Sequence, residues 1–170
     1  MAKSAPSQNC EETRELMRVW FRLLRLDASI GVAVSQRLRA IGLSIPQFDL
    51  LSTLTEADGV TQQHLAERLY VTKGNVSGLV NRLADQGLVK RSPIAGDKRS
   101  YALSLTAKGQ ALAEAGIRLH EDYVRSTLGR MPRGEREMLG NLLIRLRDAV
   151  REEEATAGRS NHAAGASAIA

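Results

Sequence analysis

Residues 70–91 read YVTKGNVSGLVNRLADQGLVKR. Val76, Leu79, Val80 and Leu83 recur at three- and four-residue spacing, the stripe of an amphipathic helix. Thr72 stands ahead of it as an N-cap and Gly87 behind it as a stop. The other side carries Lys73, Gly74, Asn75, Ser77, Gly78, Asn81 and Arg82. A face that only has to stay soluble has no use for glycine, which costs a helix interior about 1 kcal/mol relative to alanine. Short polar groups, two glycines and a few cations suit a helix against which something large must lie.

The flanking sequence supplies the frame. Upstream, Thr61 caps a short helix, QQHLAERL, so two short helices joined by a brief turn form a helix-turn-helix. Downstream, LVKRS and SYALSL read as strands, with the turn-rich PIAGDK between them, a hairpin with a basic tip. Ser44 opens a further helix, with Pro46 in its first turn and Gln47 at capping-box spacing. Before it, a long helix runs from a cap at Asn9 to Gly42. Its apolar positions include Leu16, Val19, Trp20, Leu23 and Leu26, and Arg14, Arg18, Arg22 and Arg25 lie opposite. After the hairpin, Thr106 caps a helix to about Leu128, and Pro132 opens a last one with Met138, Leu139, Leu142, Leu143, Leu146 and Val150 as its stripe.

The expected fold is mostly α with a small β-hairpin wing: a winged helix-turn-helix flanked by long N- and C-terminal helices. Residues 1–8 and the Ala-, Gly- and Ser-rich 156–170 are expected to be disordered. Between them, 9–155 forms one domain, with 44–105 the winged-helix part and 9–43 and 106–155 the dimerisation helices. These end helices are too apolar to stand alone and are expected to pair across a two-fold axis.

Composition narrows the function. Hydrophobic residues make up 43% and charged residues 25% of the 170, which fits a folded protein. No apolar run reaches the about 18 residues of a membrane span, and the N-terminus has no hydrophobic segment after its lysine. One cysteine excludes an intrachain disulfide and suits the cytoplasm. No Gly-x-Ser-x-Gly, Walker loop or metal-ligand spacing is present, so neither an enzyme nor a metal or cofactor site is expected. The net charge is +5, and residues 60–105 hold seven basic against three acidic residues, +4 in one block. A polyanion would meet that block.

The polyanion expected is double-stranded DNA. Asn and Arg make bidentate contacts to A and G edges in the major groove. The candidate DNA-binding residues on the helix are Lys73, Asn75, Ser77, Gly78, Asn81 and Arg82. Thr72 and the helix N-terminus can hold a phosphate, and Gln62 and Gln63 stand near the backbone. The hairpin adds Arg91, Asp97, Lys98 and Arg99, with Arg99 suited to a minor groove and Asp97 to orienting Arg91 or Arg99. A winged helix used only for protein contacts is the competing reading.

FDLLSTL, TQQHLAERLYVTKGNVSGLVNRLADQGLVKRS and GDKRSYALSLTAKG resemble the multiple-antibiotic-resistance regulator (MarR) family over roughly Leu16 to Val150. Its Asp-x-Arg wing pattern is matched by Asp97 and Arg99. The resemblance implies a homodimeric transcription factor, usually a repressor of a neighbouring operon, that leaves DNA on binding a small phenolic or anionic ligand. The implied ligand cleft lies between the dimerisation helices and the winged helix. Trp20, Leu24, Asp49 and Ser52 are its candidate lining, with Arg22 or Arg25 near an anion. Hydroperoxide sensors of the family carry a reactive cysteine where Trp20 stands. Cys10 lies about three turns earlier, leaving a thiol-based redox response through Cys10 as an alternative. Urate-responsive members have an arginine where Leu79 stands, which disfavours urate.

Overall fold

The computed structural model describes residues 8–57, 59–69, 72–94 and 97–167, with side chains set aside at 8, 73, 97–99 and 158–167. The elements are α1 (Gln8–Arg39), α2 (Ile45–Glu56), β1 (Val60–Thr61), α3 (Gln62–Arg68), α4 (Lys73–Asp85), β2 (Val89–Ile94), β3 (Asp97–Leu105), α5 (Ala107–Thr127) and α6 (Arg133–Ser167), with a 3-10 turn at Leu128–Arg130. They fall into two compact units, residues 1–123 and 124–170.

Local chemistry sets most of the boundaries. Gly42 adopts φ +79°, which frees its N–H to reach the Arg39 carbonyl while Leu43 reaches back to Leu38 at 3.0 Å. Leu38 and Leu43 are both buried, so this left-handed cap also seals a hydrophobic contact. Gly87, at φ +69°, closes α4 in the same way, with Leu88 reaching Leu83. At the other ends, Ser44 and Gln47 form a complete capping box, and Thr61 and Thr72 accept from His64 and Asn75. Thr106 accepts from the Gly109 amide at 3.0 Å.

The core of the first unit gathers Leu50, Leu51 and Leu54 from α2, Leu65 from α3, Val76, Val80 and Leu83 from α4, and Leu103 from β3. Each is essentially buried, and burying such a side chain is worth about 1.5–3 kcal/mol. Val34 and Leu38 of α1 and Ala113 of α5 join the same cluster. The winged-helix core therefore reaches past residues 44–105 on both sides. Two close approaches fix α5. A Cβ on Gly109 would lie 1.9 Å from the Leu88 carbonyl oxygen, and one on Gly116 would lie 2.7 Å from the Phe48 ring.

The wing differs from the expected hairpin. The sheet has three strands in the order β1-β3-β2, all antiparallel. β1 pairs Val60 with Leu103 and Thr61 with Ala102. The strands also extend into the stretch expected to be loop: Pro93 pairs with Tyr101 and Ile94 with Asp97, with an irregularity between Pro93 and Ile94. β2 is an edge strand, so the missing N–H of Pro93 is tolerated there.

Two further expectations are corrected. α1 begins at Gln8 and takes Asn9 inside it, so Asn9 is not its cap. α6 continues through Thr156 to Ser167, where an irregular tail was expected. Alanine is the best helix former and no proline interrupts this stretch, so its small residues extend the last helix. Residues 1–7 and 168–170 lie outside the described residues.

The long helices keep large apolar faces in solvent. On α1, Leu16 is 65% and Val19 63% exposed, and Trp20, Phe21, Leu24, Leu26 and Ile30 follow. On α6, Met138 is 64% exposed, followed by Leu142, Leu143, Ile144, Leu146 and Val150. Among the described residues, no helix is long and apolar enough to cross a membrane.

Candidate nucleic-acid interface

α4 divides as its sequence requires. Val76, Leu79, Val80 and Leu83 are buried, whereas Gly74, Asn75, Gly78, Asn81 and Arg82 are exposed and Ser77 is half-buried. The glycines are informative for what they do not touch. A Cβ built on Gly74 or Gly78 meets nothing within 4 Å. No packing inside the fold requires glycine at either position, in contrast with Gly109 and Gly116. At Gly78 the side chain is absent on the outer surface of a mid-helix turn, where glycine carries a stability cost and no internal benefit.

Thr72 caps α4, its Oγ1 accepting from the Asn75 amide at 3.4 Å. The remaining amides of the first turn point out along the helix axis at the positive end of its dipole. Gln62 opens α3 and is half-buried; Gln63 is exposed and donates through Nε2 to Glu67 at 3.4 Å. Arg91, exposed on β2, donates to the Asn81 side-chain oxygen, a contact that ties the wing to α4. Asp97 and Arg99 were expected to serve this wing; they lie with Lys98 at the start of β3, and their side chains, like that of Lys73, are outside the described set.

A cleft of about 330 Å³ opens beside α4, with Pro46 and Asp49 from α2, Leu69, and Asn75, Leu79 and Arg82 on its walls. Asp49 is exposed along one side, yet the cleft removes enough water from its carboxyl group to push its pKa above 3.8; attraction to His120 pulls the other way and is weaker. Ser52 is half-buried and donates to the Asp49 carbonyl oxygen at 3.1 Å. Of the four candidate ligand residues, only Asp49 lines this cleft. Trp20 and Leu24 stand on the exposed apolar face of α1 and are not brought to it. Helical periodicity placed them on an apolar stripe without saying what would cover that stripe. Cys10 is exposed near the start of α1.

Sequence reasoning missed the Arg91–Asn81 pair and the double membership of Asn75 and Arg82, which belong both to the exposed α4 face and to the cleft. Neither leaves a local signal, because the partners are brought together only by the fold.

The comparisons agree with this architecture. The family model described as MarR family matches residues 41–100. An uncharacterised helix-turn-helix transcriptional regulator of Bacillus cereus is 30% identical over 99 residues, 58% of this chain and 65% of the relative. The chain thus spans just under two thirds of that relative's length. A helix-turn-helix transcriptional repressor of Mycobacterium bovis is 33% identical over 94 residues, 55% of this chain and 68% of the relative. Streptococcus pneumoniae FabT, solved in complex with DNA, superimposes with a TM-score of 0.72 at 24% identity, covering 81% of this chain and 98% of that one. The fold is a winged helix, and the chain belongs to the MarR family.

Proposed function

We propose that the protein is a homodimeric DNA-binding transcriptional regulator, a repressor that binds a pseudo-palindromic operator and is released by a small phenolic or anionic ligand. The observation that carries the DNA reading is the outer face of α4, where Gly74 and Gly78 leave the backbone bare although nothing in the fold needs the space. Asn75, Asn81 and Arg82 are exposed on the same helix, where a major-groove floor would meet them. The Mycobacterium bovis relative is named a repressor, which supports the direction of regulation.

The dimer reading rests on the uncovered faces of α1 and α6. An exposed row of large apolar side chains along a helix mostly marks an interaction site, and a second copy supplies a matching one by symmetry. Two α4 helices would then meet successive major grooves about 34–36 Å apart. The cleft beside α4 is the proposed ligand site. Arg82 offers an anion a charge and Leu69 and Leu79 offer a ring an apolar wall, and an occupant there would engage Asn75 and Arg82, two of the candidate DNA-facing residues.

The test is fluorescence anisotropy on duplex DNA from upstream of the gene, compared with random duplex, with molar mass from light scattering. The expected outcome is a dimer that prefers its own upstream DNA. Its affinity should fall about a thousandfold or more between about 50 and about 200 mM salt, as several phosphate contacts require. A salt-independent affinity would favour a protein-contact module instead.

A further inference from the structure

A second groove, of about 390 Å³, lies between α3 with its cap Thr61 and the middle of β3, lined by Gln62, Gln63, His64, Glu67, Ser100 and Tyr101. Tyr101 lies two residues from the buried Leu103, on the same face of the strand. In the middle of the nine-residue strand it is 46% exposed, a large ring that walls the groove without being absorbed by the core. The rest of the lining is mostly hydrogen-bond donors: two side-chain amides, two hydroxyls and an imidazole. His64 is exposed, and its backbone amide is held by the Thr61 hydroxyl at 3.2 Å. Glu67 already accepts from Gln63.

The occupant follows from the DNA reading, on which this inference rests. A recognition helix in one groove and a hairpin tip in the next straddle the single sugar–phosphate strand that divides them. This groove opens between α3 and the strand that leads away from the hairpin tip, and its donors suit a phosphate. We propose that it seats a phosphate of that strand and that His64, when protonated, is a phosphate ligand, so that DNA affinity rises as pH falls. Histidine changes charge between about pH 5 and pH 8. Among the described residues that line the groove, the titratable groups besides His64 are Glu67 on its own helix and Tyr101 on β3.

The test is anisotropy with the upstream duplex, wild type against His64→Gln, at about pH 6, 7 and 8 and at several salt concentrations. The wild type is expected to bind roughly tenfold tighter at the lowest pH than at the highest, each protomer of the dimer contributing about threefold. Its log K against log salt should steepen by about 0.9 per protomer over the same range, the signature of one added phosphate contact. His64→Gln should lose both changes while keeping its fold by circular dichroism. If wild type and variant show the same pH and salt dependence, the inference is overturned and DNA binding stands. If the wild type binds no DNA at any pH, the DNA reading falls and this inference with it.

Discussion

Replacing Gly78 by alanine separates the two demands placed on α4. Position 78 lies in the middle of a 13-residue helix, on its exposed side, and a Cβ there meets nothing within 4 Å. Alanine restores helix propensity and narrows the unfolded ensemble, together worth about 1 kcal/mol. For a chain of this size that corresponds to a rise in Tm of about 2–4 °C. On DNA the sign reverses. If the α4 backbone approaches the groove at Gly78, the added methyl must be accommodated by a shift of the helix, at about 1 kcal/mol in each protomer, the low end of overpacking costs. Two protomers on one operator double this, so affinity should fall by roughly thirtyfold at 1.4 kcal/mol per factor of ten. Differential scanning calorimetry and anisotropy on the same preparation read both quantities. A variant that gains stability and binds DNA as tightly as the wild type would refute the close-approach reasoning. One that loses stability would refute the claim that nothing in the fold uses the glycine.

Gly109→Ala should act in the opposite sense. Its Cβ would sit 1.9 Å from the Leu88 carbonyl oxygen, so α5 must move, and a loss of about 2–3 kcal/mol by urea denaturation is expected. Asp49→Asn should raise Tm at neutral pH, with the gain vanishing as pH falls below 3.8. The sign follows from the raised carboxyl pKa: the folded state holds the proton more tightly, so stability is lost as pH rises through the window above 3.8 and the amide escapes that loss. A variant less stable than the wild type at neutral pH would show that attraction to His120 outweighs burial. Arg99→Ala should weaken operator binding by about 1–3 kcal/mol in anisotropy if the arginine makes a specific groove contact, and normal binding would remove the wing from the interface.

The sequence by itself determined the elements whose ends are made locally. Ser44 with Gln47, Thr61 with His64, Thr72 with Asn75, and the glycines at 42 and 87 all act over three to five residues, so their chemistry is legible in one dimension. The buried stripe of α4 and its bare opposite face were legible for the same reason, because helical spacing assigns residues to faces before anything packs. Where composition alone was used, it misled: the alanine-rich stretch after Thr156 prolongs a helix instead of ending one. Tertiary structure decided everything that joins residues distant in the chain. β1 is two residues long and exists because β3 lies beside it, more than forty positions away. The Arg91–Asn81 contact and the meeting of Asp49 with Arg82 across a cleft depend on how α2, α4 and β2 pack. Hydrogen bonds and clefts of this kind are set by chain reversals that no periodicity records; helical spacing placed Trp20 and Leu24 on an apolar stripe of α1 without a word on what covers it.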